Sequence, residues 1–142
     1  TGADELMVTA QIHDHAARLR SFDPVIFDQE VQPVLADRCS NPTCHGRPER
    51  PLALYSELGW RLNPADVYGD KPLSSTERSH NFTVCCVLAS EGAGPADTLL
   101  LRKPLGQGAG AYHGGETLLT QSDDAYHVLL DWVSDAWQRG TP

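Results

Sequence analysis

Cys39-Ser40-Asn41-Pro42-Thr43-Cys44-His45 is the stretch from which this chain is best read. Two cysteines with a histidine directly after the second are how a c-type haem is held: each thiol adds across one vinyl group, and the histidine is then placed under the iron. The usual spacing has two residues between the cysteines, whereas four stand here. The porphyrin fixes the thioether positions, so a longer spacer still works if it loops outward. Asn41-Pro42 is a turn-forming pair that predicts such a bulge. Two other readings use the same residues. Cys39 and Cys44 would close a structural disulfide, with His45 incidental, or they would enter a zinc site. The remaining cysteines, Cys85 and Cys86, are adjacent and suit tetrahedral ligation poorly.

At 142 residues the chain has the length of one domain with a sizeable core. Its 40% hydrophobic content and periodic apolar segments mark it as globular rather than disordered. Nineteen acidic against eleven basic residues give a formal net charge of -8. That balance disfavours nucleic acid and anionic membrane surfaces and makes a basic protein surface the natural partner. No apolar run approaches the ~18 residues of a membrane span. The chain opens on Thr1, with neither methionine nor signal peptide, as a mature exported protein does and a trimmed chain does equally. Covalent haem would independently point to the periplasm or the cell exterior.

Residues 4–20 are predicted to be helical, with Val8, Ile12, Ala16 and Leu19 along one face. Asp23 then reads as an N-cap, Pro24 as the first helical residue, and Phe22 with Phe27 as a hydrophobic staple. This second helix carries Phe27, Val31, Val34 and Leu35 on one side, is kinked by Pro33 and runs into Cys39. Ser122 and Asp123 open a last helix, whose Tyr126, Leu129, Leu130, Val133 and Trp137 form an apolar stripe that Gly140 and Pro142 close. Between Gly46 and Pro104 the pattern is weak and reads as loop with short helical or extended pieces, among them the apolar run from Val84 to Ala89. Five glycines lie between residues 105 and 116, where the backbone can approach a flat cofactor closely. No internal repeat or low-complexity tract is present.

The order of helix, Cys39…Cys44-His45-Gly46, loops and terminal helix resembles class I cytochromes c. The run from Phe27 to Gly46, with Val31, Pro33, Val34 and Leu35 before the cysteines, is similar to the cytochrome c-like domains of many planctomycete and other environmental bacterial proteins. Those domains continue with a leucine-rich segment, a Lys-Pro-Leu-Gly-like turn, a His-Gly-Gly element and a final helix ending in tryptophan. The counterparts here are Leu99 to Arg102, Lys103 to Gly106, His113 to Gly115, and Tyr126 to Trp132. The resemblance spans residues 22–138. It implies a mostly α, cytochrome c-like helical domain with long loops over residues 22–142, preceded by an N-terminal helical extension over residues 1–21. One covalently bound haem c on Cys39, Cys44 and His45 would be its cofactor. The four-residue spacer and the Cys85-Cys86 pair depart from the pattern.

Class I cytochromes draw a methionine from the loop before the last helix as second axial ligand, but the only methionine here is Met7, upstream of the haem motif. In that loop the chain carries His113, with Gly114 and Gly115 clearing side chains from the porphyrin. The resemblance therefore implies ligation by His45 and His113, with an ordinary loop histidine as the alternative. His13 and His127 lie off the apolar faces of their helices, His15 borders its face, and His80 falls in a polar loop. Cys85 and Cys86 have three readings: a strained vicinal disulfide, which is preferred, two buried thiols, or a bond to another chain. A rarer scheme attaches one of them to the haem in place of Cys39. The expected function is a monohaem carrier of single electrons between protein partners, not an enzyme. Asp123, Asp124, Asp131 and Asp135 of the last helix either orient a basic partner, free or within a membrane electron-transfer complex, or simply solvate the helix. The alternatives are a haem sensor or enzyme with an open iron site, and a non-catalytic haem subunit of a larger electron-transfer assembly.

Overall fold

A computed structural model describes residues 20–106, 113 and 118–139. The helix expected over residues 4–20, apart from Arg20, and most of the glycine-rich segment lie outside the described residues. The described chain is mostly helical and contains no strand. Helix α1 (Pro24–Ile26) passes through a π-helical turn (Phe27–Val31) into α2 (Gln32–Arg38); α3 is Ser75–Leu88, α4 Leu99–Leu105 and α5 Asp124–Arg139. Short 3-10 turns lie at Pro64–Gly69 and Pro95–Asp97. No helix among the described residues is long and apolar enough to cross a membrane. The chain divides into two compact units, one formed by Pro24–Phe82 and the other by the described residues before and after it.

The Pro24–Phe82 unit starts, as expected, with Pro24 as the first helical residue. Pro33 follows directly on the π turn, in which Gln32 N donates to Phe27 O five residues back: the helical ladder is widened just ahead of the residue that has no N–H to give it. Phe27, Val31 and Leu35 are fully buried, and Phe82 meets the Phe27 ring edge-on at 5.4 Å. Val34 is only half-buried, and Gln32 enters the core in its place.

Helix α3, at 14 residues, is longer than the short helical pieces expected between Gly46 and Pro104. Its start is a reciprocal capping box: Glu77 N donates to Ser74 Oγ at 3.2 Å and Ser74 N to Glu77 Oε2 at 2.8 Å. The buried face recurs every four residues as Leu73, Glu77, Asn81, Cys85 and Ala89. Two of those five positions are polar, which is why no apolar stripe is visible in the sequence. Both are fully partnered. Arg61 grips the Glu77 carboxylate through Nε at 3.0 Å and Nη2 at 3.1 Å, and its remaining donors reach the carbonyls of Glu57, Lys71 and Pro72. Asn81 donates to Gln32 Oε1 at 2.8 Å and Tyr55 O at 2.9 Å, and accepts from Tyr55 N at 2.9 Å.

In the second unit, α5 buries Tyr126, Leu129, Trp132, Val133 and Ala136, while Leu130 and Trp137 are half-buried. The stripe is thus rotated from the expected one to admit Trp132. The indoles set this orientation: Trp132 Nε1 donates to Asp23 O at 3.0 Å with its ring 4.6 Å from Phe22, and Trp137 Nε1 donates to Ala89 O at 2.9 Å beneath the Arg20 guanidinium. Asp123 precedes the helix and caps it, its carbonyl accepting from His127 N at 3.2 Å. Lys103 to Gly106 is the closing turn of α4, ended by Gly106 at φ 64°, the left-handed conformation that glycine takes without a Cβ clash.

Candidate functional site

Helix α2 ends at the first cysteine. Cys39 N and Ser40 N both donate to Leu35 O, at 2.9 and 2.8 Å, and the Cys39 side chain is buried. Pro42 then biases Asn41 away from helical geometry. Asn41 organises the rest of the loop: its carbonyl accepts from Cys44 N at 2.8 Å and Gly46 N at 2.9 Å, and its Oδ1 from Thr43 N and Thr43 Oγ1, each at 2.8 Å. His45 N returns to Cys39 O at 3.1 Å, closing the loop on the helix end. Asn41, Pro42 and Thr43 are exposed, so the additional spacer residues face solvent. Arg47 Nε donates to Pro42 O at 2.7 Å and Arg50 Nη2 to Thr43 O at 3.0 Å, bracing the turn from outside. A Cβ on Gly46 would lie 2.1 Å from Ser40 O, so only glycine allows this fold-back.

Cys39 and Cys44 are separate thiols. Burial foremost, and then the charge of Cys44, push the Cys39 thiol up to about 11, with Arg38 opposing the rise. At neutral pH the buried Cys39 stays a protonated thiol. Ser40 Oγ, buried in the same loop, has no hydrogen-bond partner among the described residues.

His45 is half-buried, and its Nδ1 lies 2.8 Å from Leu52 O. A carbonyl has no proton to give, so Nδ1 carries the hydrogen and the lone pair resides on Nε2. Donation of the second ring N–H to a backbone carbonyl is how a metal-binding imidazole is oriented and made more basic. The donor set fits a c-type haem: two unbridged thiols as addition partners and one imidazole whose tautomer puts the lone pair on Nε2, in a loop whose glycine admits close backbone approach. Among the described residues, no group of three or more His, Cys, Asp or Glu side chains gathers to hold a metal ion by itself.

The other predicted residues belong to other parts of the chain. His113 is half-buried and belongs to the second unit. His80 is not in a loop but in α3, where its Nε2 donates to Ala53 O at 2.8 Å and its ring stands edge-on to Tyr55 and Trp60. His127 is exposed, as expected. Cys85 and Cys86 are two buried thiols inside α3, and burial pushes the Cys86 thiol up. The preferred vicinal disulfide is therefore replaced by the second reading: adjacent residues of a helix point ~100° apart, and their sulfurs diverge. What sequence reasoning missed is the Leu52 carbonyl and the two arginine braces. A backbone acceptor leaves no letter in the sequence, although two arginines shortly after Cys-His-Gly are a visible hint. Compared with protein families, with characterised proteins and with solved structures, the chain finds no match in any of the three.

Proposed function

We propose that the chain is a monohaem c-type cytochrome that carries single electrons between protein partners, within a cytochrome c-like fold. The observation that carries this reading is the Nδ1–H of His45 on Leu52 O, which directs the ring's lone pair to Nε2 in a loop that also carries two unbridged thiols. Cys39 and Cys44 would hold the group as thioethers, each thiol giving its sulfur and its hydrogen to the two carbons of one vinyl double bond, with no oxidant consumed. His45, through Nε2, and His113 are the residues that would hold the iron, and the group would supply a one-electron couple. Two histidine ligands would set it below a comparable His/Met centre.

The net charge of -8, with exposed Asp124 and Asp131 on α5, suits a basic docking surface. The ligation is tested by absorption spectra of the purified protein in both oxidation states. A six-coordinate low-spin haem is expected, and His113→Ala should convert it to a form that binds exogenous ligands. A wild-type spectrum already high-spin and open would replace the carrier by the sensor or enzyme reading.

A further inference from the structure

Two histidines donate to consecutive carbonyls of one short segment. Leu52 O accepts from His45 Nδ1 and Ala53 O from His80 Nε2, both at 2.8 Å. The segment is pinned further along, where Leu54 N donates to His45 O at 2.8 Å and Tyr55 is bonded through both its N–H and its carbonyl to the Asn81 side chain. The His80 ring is itself held: Tyr55 and Trp60 stack at 3.9 Å, and His80 stands edge-on to both, at 5.1 and 5.8 Å. Consecutive peptide planes are linked only through one residue's φ and ψ, so what holds the Ala53 carbonyl also sets the orientation of the Leu52 carbonyl.

We propose that His80 is a positioning residue for His45: by binding Ala53 O it keeps the Leu52 carbonyl aimed at His45 Nδ1. The consequence for haem ligation rests on the functional reading above. A hydrogen bond of this kind fixes the tautomer and raises the basicity of a ligating imidazole, which is one of the protein's levers on a haem potential. The competing role is plain packing, in which the His80 ring only fills the space beside Tyr55 and Trp60.

The two roles are separated by His80→Gln, whose amide nitrogen reaches about as far as Nε2, and His80→Asn, whose amide stops short of it; both variants remove the ring. The first readout is nitrogen-15 NMR of the full chain prepared without haem. Wild type and His80→Gln should show His45 with its proton on Nδ1, whereas in His80→Asn that proton should exchange about tenfold faster, as loss of one supporting hydrogen bond implies. The second is the midpoint potential of the haem-loaded chain, which should rise in His80→Asn and return in His80→Gln. His45 unchanged in His80→Asn, or perturbed equally in both variants, would overturn the proposal in favour of packing. If circular dichroism shows that His80→Asn does not fold, His80→Phe, which keeps a ring but has no donor, takes its place. A wild-type chain that binds no haem would defeat the functional reading, while the NMR comparison would still decide the role of His80.

Discussion

The Pro24–Phe82 unit and the unit containing α5 are built on different chemistry. The α5 unit is an amphipathic helix laid down on Tyr126, Leu129, Trp132, Val133 and Ala136, and its polar anchors are two indole N–H groups on backbone carbonyls. The Pro24–Phe82 unit instead threads a polar skeleton through its interior. Arg61 with Glu77, and Gln32 with Asn81 and Tyr55, hold the loops that return to α3. An apolar face accepts many partners of about the right volume, whereas a buried hydrogen-bond network accepts one arrangement. The candidate haem loop belongs to the second kind of interior, where a histidine ring must be held in one orientation.

That contrast predicts a graded series of stabilities. Glu77→Ala strands the Arg61 guanidinium, whose side chain is 1% exposed, and should cost about 3–5 kcal/mol in denaturant unfolding. Asn81→Leu, apolar and similar in volume, should still cost about 2–3 kcal/mol because Tyr55 N and the Gln32 amide lose their partner. Leu129→Met in α5 should cost less than about 1.5 kcal/mol. If the leucine substitution at Asn81 proved as mild as the methionine at Leu129, the two interiors would not differ in the way described.

Acid should act on the same unit. Burial raises the Glu77 carboxyl, but the Arg61 guanidinium and the N–H groups of Ser74 and Leu62 outweigh it and hold the group at about 2, below its ordinary 4.5. A depressed folded-state value contributes stability that is complete above the unfolded value and fades as pH falls from about 4.5 towards 2. Denaturant midpoints measured down that range should therefore fall in the wild type. In Glu77→Gln they should start lower and fall less. Equal slopes in the two proteins would assign the acid sensitivity to other carboxylates.

Legibility in the sequence followed the same division. The α5 helix and the start of α1 at Pro24 could be read because apolar spacing and a terminal proline are local signals. Helix α3 could not be read from spacing, since Glu77 and Asn81 occupy its buried face, and the Ser74-x-x-Glu77 capping box at its start was a local signal that went unread. Cys39, Cys44 and His45 were visible for the opposite reason: the motif is contiguous, so its chemistry needs no fold to assemble it. The Leu52 carbonyl, the Ala53–His80 bond and the rotation of α5 towards Trp132 depend on contacts between distant residues, and nothing local encodes them.

The most direct measurement is the mass of the purified protein after denaturation and acid extraction, for wild type and for the double variant Cys39→Ala/Cys44→Ala. The wild-type chain should retain the added mass of one haem, and the double variant should lose it entirely. A wild-type chain carrying no haem after expression alongside the haem-attachment machinery, or a double variant that still carries it covalently, would contradict the assignment of Cys39, Cys44 and His45.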